Sequence, residues 1–240
     1  MTARFSFQFG KSRIFSYKTG GHRPPLQLIG VGVVVLLANA ACSRHVTLNR
    51  AHLAEDLKSI HQPTAAQRDL GIYQPYSDAD IDFMTGMIPH HAQAVIMAGW
   101  APSHGARSDI AILCERIVVG QADEIQSMQT WLGDRGQPVP DTKSTRMHMK
   151  MNGVEHDMLM PGMLSDEEMA ELDKARGAGF DRLFLIGMMK HHQGAIDMVN
   201  DLFKAYGAAQ DDTIYKFASD VFADQSIEIG VMRKMLESPR

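Results

Sequence analysis

The chain has 240 residues, 45% of them apolar and 22% charged, with a formal net charge of −4; this balance excludes a disordered polymer and gives no basic footprint for nucleic acid. Its 2 cysteines exclude a disulfide framework and a four-cysteine zinc cage. What departs from an ordinary globular composition is 17 methionines and 11 histidines against 7% aromatic residues.

Residues 1–41 carry five basic side chains (Arg4, Lys11, Arg13, Lys18, Arg23) and no acid, which leaves 19 basic against 28 acidic groups in the rest. From Leu26 to Ala41 runs an apolar stretch broken only by Gln27, two glycines and Asn39. A basic start, an apolar run short of the ~20 residues of a membrane span and small residues at the cut mark a secretory signal peptide, or a membrane anchor if it is retained. Cys42, after Ala40 and Ala41, resembles the acceptor cysteine of a bacterial lipoprotein, although Asn39 stands where Leu is usual. The body is therefore expected in the periplasm or cell envelope, touching a membrane only through this segment or a lipid on Cys42. Residues 42–76 are polar, lack sustained periodicity and read as a tether.

The first helix begins at Ser77, which forms an approximate capping box with Asp80, and Gly99 can end it. Phe83, Met87, His90, Ala94 and Met97 recur along it at steps of 4,3,4,3, the period of a buried helical stripe. A second stripe runs Ile110, Cys114, Ile117, Gln121, Glu124, Met128, Trp131; Cys114 reads there as a small core residue rather than a thiolate ligand. The stretch 134–180 has no clear stripe until a short helix at 165–176, capped by Ser165 with Glu168 and stopped at Gly177. A third helix follows, with Asp181 as its expected N-cap, and carries Phe184, Met188, His191, Ala195 and Met198. A fourth carries Ile214, Ala218, Val221, Gln225, Glu228, Met232 and Met235.

These helices form an internal repeat. Phe83 to Met97 aligns with Phe184 to Met198 at an offset of 101, Asp80 with Asp181 at the same offset, and Gln121 to Leu132 with Gln225 to Leu236 at 104. Each unit buries its apolar face against the other. Short connections within each unit and a long one between them predict an all-α fold: a ferritin-like four-helix bundle over 77–238, made of two repeated helical hairpins (77–133 and 181–238) and a Met-rich crossover (134–180).

Two histidine pairs and two Gln-x-x-Glu pairs occupy seam positions where Leu, Ile or Val belong, and a buried ionised carboxylate is costly unless paired or coordinated. One reading is a polar core in which each Glu accepts a hydrogen bond from a His and fixes register. It leaves the methionines unexplained. Met87 lies three residues before His90 and four before His91, and Met188 stands likewise to His191 and His192. On a helix those separations span about 4.5 to 6 Å along one face, a spacing for two arms of a chelate. Adjacent histidines diverge by about 100°, so a second helix must help to complete a site. Met84 and Met97 extend the track, and Glu124, Glu228, Gln121 and Gln225 serve as secondary ligands or supports. Methionines at helical spacing also pack as core filler. In the crossover, however, Met147, Met149, Met151, Met158, Met160 and Met163 alternate with Lys150, Asn152, Gly153, Glu155 and Asp157 beside His148 and His156. Core packing explains that mixture poorly; an oxidation sink is one alternative. Thioether suits Cu(I), imidazole suits Cu(I) or Cu(II), and carboxylate assists the oxidised ion, so the expected cargo is copper, Cu(I) first.

The doubled His-His motif, Phe83 to Ala98 and Phe184 to Val199, with Phe180 to Leu185 and the two Gln-x-x-Glu helices, resembles the bacterial domain of unknown function 305 family over about residues 77–237. The resemblance implies a ferritin-like bundle that binds copper in the cell envelope and supports copper tolerance. It marks Met87, His90, His91, Met97, Met188, His191, His192 and Met198 as binding residues. Ala92 against Gln193, and Ala98 against Val199, are departures between the copies that remove no donor. The expected protein sequesters copper or passes it to another envelope carrier, with no catalytic residue. The alternative of a different class, a di-metal oxidase, needs a Glu-x-x-His on each of two helices. That motif is missing, and Gln121 and Gln225 hold places where a carboxylate would help.

Overall fold

The computed structural model describes residues 55–142, 144–151 and 154–238, apart from the side chains of 148–156. The leader 1–41, Cys42 and the tether up to residue 54 lie outside them.

Four long helices carry the architecture: α2 (Asp78–Gly99), α4 (Ser108–Asp134), α6 (Ala178–Lys204) and α7 (Asp212–Glu237), with a one-turn helix α3 (Ala101–His104) between the first two. The molecule is an all-α bundle. α2 packs along α4, α6 along α7, and the hairpins meet where α2 faces α6, whereas α4 and α7 have few close approaches. Among the described residues no helix is long and apolar enough to cross a membrane.

The helix starts follow local chemistry. Ser77 caps α2 with its hydroxyl on the Asp80 N–H, and the Asp80 carboxylate returns the bond to the Ser77 N–H at 2.8 Å. Asp181 departs from its expected role. α6 begins four residues earlier, at Ala178 after Gly177, and the Asp181 carboxylate accepts from the Arg107 N–H at 3.1 Å. Asp80 accepts in the same way from the Ala209 N–H at 2.7 Å. The repeated aspartate thus holds the inter-helix turn of the other hairpin, a constraint that no helix-start rule contains.

The segment expected to be a tether is folded over its described part. A 3-10 turn (Leu57–Ser59) leads into β1 (Ile60–His61), which pairs antiparallel with β2 (Tyr76–Ser77) around α1 (Ala65–Asp69). Ile72 and Tyr76 are buried, and Tyr76 meets Trp131 edge-on. Their spacing shows no period because they cover the end of the bundle instead of lining a stripe.

The crossover also differs from its expectation. It starts with a hairpin, β3 (Met147–Met151) against β4 (Val154–Met158), with Met147 opposite Met158 and Met149 opposite His156. It then lies over the bundle, and α5 (Asp166–Lys174) follows, capped by Ser165 and Glu168 as expected but two residues shorter. Met147 and Met163 are buried and Met160 packs on the core, so core packing does account for these three. Met158 is exposed.

Candidate metal centre

The bundle interior is layered. One apolar cluster gathers Met84, Met87, Ile125, Met128, Met198 and Val221; the other gathers Ala94, Met97, Ile110, Cys114, Ile117, Phe184 and Met188. Neither contains a histidine. His90, His91, His191 and His192 are each 0% exposed and make a polar layer of their own. The layering follows from the repeat: antiparallel α2 and α6 cross at the motif, so Met87 of one copy shares a cluster with Met198 of the other, and Met97 shares one with Met188.

At the centre the rings of His90 and His191 lie 3.8 Å apart between centroids, with His91 and His192 at 6.1 and 6.3 Å from their neighbours. His91 Nε2–H donates to Glu124 Oε2 and His192 Nε2–H to Glu228 Oε2, both at 2.8 Å. His90 Nε2–H donates to the Pro161 carbonyl at 3.0 Å. These bonds select the tautomer with the proton on Nε2 and leave the Nδ1 lone pair of three rings without a partner. Neither nitrogen of His191 has one. Burial, then the neighbouring His91, pushes His90 down to about 3, and burial with His90 pushes His191 well below the usual imidazole value of 6.5. At neutral pH both rings are uncharged, the state in which imidazole binds a metal.

Carboxylate to imidazole Nε2, with Nδ1 open, is the pattern by which a supporting carboxylate orients a metal-binding histidine. Among the described residues no three His, Cys, Asp or Glu side chains converge on a point that could hold an ion.

Sequence reasoning missed the clamp on this layer. Gln93 Nε2 donates to the Leu164 carbonyl at 3.0 Å and Gln93 Oε1 accepts from the Leu164 N–H at 2.8 Å, pinning the crossover where Pro161 meets His90. The other copy has Gly194 in the place of Gln93, and the backbone of Pro161 fills the vacated space: a Cβ on Gly194 would fall 1.9 Å from the Pro161 carbonyl oxygen. The Gln93/Gly194 mismatch between the two copies was the available signal. Met97 and Met198 are seated by a glycine pair, their methyl carbons 3.4 and 3.5 Å from the Cβ positions of Gly187 and Gly86. Met160 joins Met198 at Gly86, whereas Leu164 takes the corresponding place at Gly187.

Other expected residues fall outside this layer. Gln121 and Gln225 line a cleft with Glu124 and Glu228 between α4 and α7. Met147, Met158, Met160 and Met163 belong to the crossover, while the side chains of His148, Met149, Met151 and His156 lie outside the described ones. Cys114 is buried with its thiol pushed up to about 12 by burial and by Asp181, which fits a core residue.

The chain matches the family described as Domain of unknown function (DUF305) over residues 80–236. Its fold is similar to a DUF305 fragment from Deinococcus radiodurans, 24% identical, with a TM-score of 0.55 over 68% of this chain and 97% of that one. A DUF305 protein of Streptomyces coelicolor described as secreted is 26% identical, with a TM-score of 0.55 over 66% of this chain and 92% of the other. CopM in its Cu(II)-bound form is 28% identical, with a TM-score of 0.50 over 66% of this chain and 95% of that protein.

Proposed function

The chain belongs to the DUF305 family, and on that premise we propose that it is an exported copper-binding protein of the cell envelope, which holds Cu(I), or Cu(II) when oxidised, in its histidine layer. It sequesters the ion or hands it to another carrier and carries out no turnover. The observation that carries this reading is the set of buried imidazoles whose Nδ1 atoms have no hydrogen-bond partner. Each orphaned polar atom costs about 1–3 kcal/mol in the folded state, and a bound ion would offset that cost. The Cu(II)-bound CopM structure supports copper as the cargo, and the secreted Streptomyces relative supports export.

The donor chemistry favours Cu(I). Methionines from both copies border the histidines on either side, and thioether is a poor ligand for Zn(II). Glu124 and Glu228 act through His91 and His192, orienting the rings and adding basicity. The polar-core alternative accounts for those two histidines but leaves His191 unexplained. The di-metal oxidase is less well supported, because both of its carboxylates already accept from histidines. In competition titration the exported body binds Cu(I) more tightly than Zn(II), and His90→Ala with His191→Ala abolishes that copper binding while helical content is retained. Equal preference for the two ions, or full copper binding in the double variant, would overturn the assignment.

A further inference from the structure

The histidine layer is closed on every side but one: α2 packs along α4 and α6 along α7. Apolar clusters lie above and below it, and the crossover seals the α2–α6 face, where Pro161 rests on Gly194 and Gln93 holds Leu164 by both backbone groups. The α4–α7 side differs. Because α4 and α7 have few close approaches, a cleft of about 270 Å³ remains between them, with Gln121, Glu124, Gln225 and Glu228 in its wall.

We propose that this cleft is the port by which a small cation passes between solvent and the buried histidines; the proposal rests on the copper reading above and adds the route. Three observations carry it. Glu124 and Glu228 reach both ends of the path: one oxygen of each accepts from His91 or His192, yet the side chains remain 26% and 17% exposed. Gln121 and Gln225 are 5% and 3% exposed, and the Gln121 carbonyl oxygen and both amide atoms of Gln225 lack partners, a costly arrangement unless something transient uses them. The charged lining is Glu124, Glu228 and Asp224 against Arg116 alone, which attracts cations and repels anions. Three negative groups and two amides can replace the water shed by an incoming ion before imidazole takes it up.

Gly120 stands in the wall of the cleft, and a Cβ there meets nothing within 4 Å. Gly120→Trp therefore narrows the cleft without clashing with the fold, and Gly133→Trp, on the same helix with equally open surroundings, is the control. Uptake of Cu(I) from a weak chromophoric chelator is followed by stopped flow, with final stoichiometry measured on the same samples. Gly120→Trp is expected to load about ten-fold or more slowly, the scale on which access and steering set association rates, and to reach the parent's stoichiometry. Gly133→Trp loads like the parent. Gly120→Lys also slows loading, and added salt relieves it because the obstacle is charge. Loading of Gly120→Trp at the parent rate overturns the port; so does a lowered final stoichiometry, which would make the cleft part of the site and not the way to it. A parent chain that takes up no copper removes the copper reading itself, and the port with it.

Discussion

His191 has no hydrogen-bond partner on either ring nitrogen, and its ring lies 3.8 Å from that of His90 between centroids. A protein interior tolerates such a pair only uncharged, and both rings are held far below the ordinary imidazole value. The consequence for stability has a definite sign. The unfolded chain takes up protons below about pH 6.5 that folded His90 refuses until about pH 3 and folded His191 refuses well below 6.5, so stability from these groups is complete above 6.5 and is lost as pH falls below it. In urea unfolding of the copper-free chain, the unfolding free energy drops between pH 7 and pH 4, by an amount on the order of several kcal/mol. His90→Leu with His191→Leu flattens that drop; an unchanged slope would place the acid sensitivity elsewhere. These histidines were legible from seam positions alone. Their hydrogen bonds were legible only in part: pairing of Glu with His was one of two readings of the seam, whereas the Pro161 carbonyl on His90 comes from a residue 71 positions away.

The elements divide according to whether their cause is local. α2 and α5 start at serine caps that the sequence displays, three residues before an acid that completes the box. α6 starts at Ala178 after Gly177 instead, and Asp181 is engaged by the Arg107 N–H of the other hairpin. The crossover is positioned by shape. Gly194→Ala would force a Cβ into the Pro161 carbonyl, and the expected cost is about 1–3 kcal/mol or more, because backbone must move. Gly230→Ala, in open space on α7, should instead stabilise by up to about 1 kcal/mol through helix propensity. Thermal unfolding of the two variants checks the contrast, and equal shifts would mean that the crossover does not press on α6 in solution. Met147, Met160 and Met163 were not legible as core residues because a strand hairpin and a draped loop bury side chains at no fixed period.

Across the whole molecule, the segment before α2, the end of α4 and the start of α7 are joined at one end of the bundle. Arg135 is buried, pairs with Asp211, and lies over the rings of Trp131 and Tyr76 at 4.0 and 5.3 Å. Asp211 also caps α7 through the Thr213 and Ile214 N–H groups. Asp211→Ala leaves the guanidinium buried without its counter-ion, and the expected loss is about 3–5 kcal/mol in urea unfolding. Asp201→Ala, which removes an exposed pair with Lys204, should cost no more than about 1 kcal/mol. A similar loss in both variants would show that this end is not sealed.

By itself the sequence determined the all-α class, the two-copy organisation, the paired histidines at seam positions and the methionines that flank them on the same helices. Those features are written in period and offset, which a chain carries before it folds. Tertiary structure alone decided which carbonyl and which glutamine clamp the layer, that each aspartate serves the opposite hairpin, that residues 55–76 cover one end, and that the open side is the gap between α4 and α7. Each of these depends on groups distant in the chain meeting at hydrogen-bond or van der Waals distance, and no local pattern records which distant groups will meet.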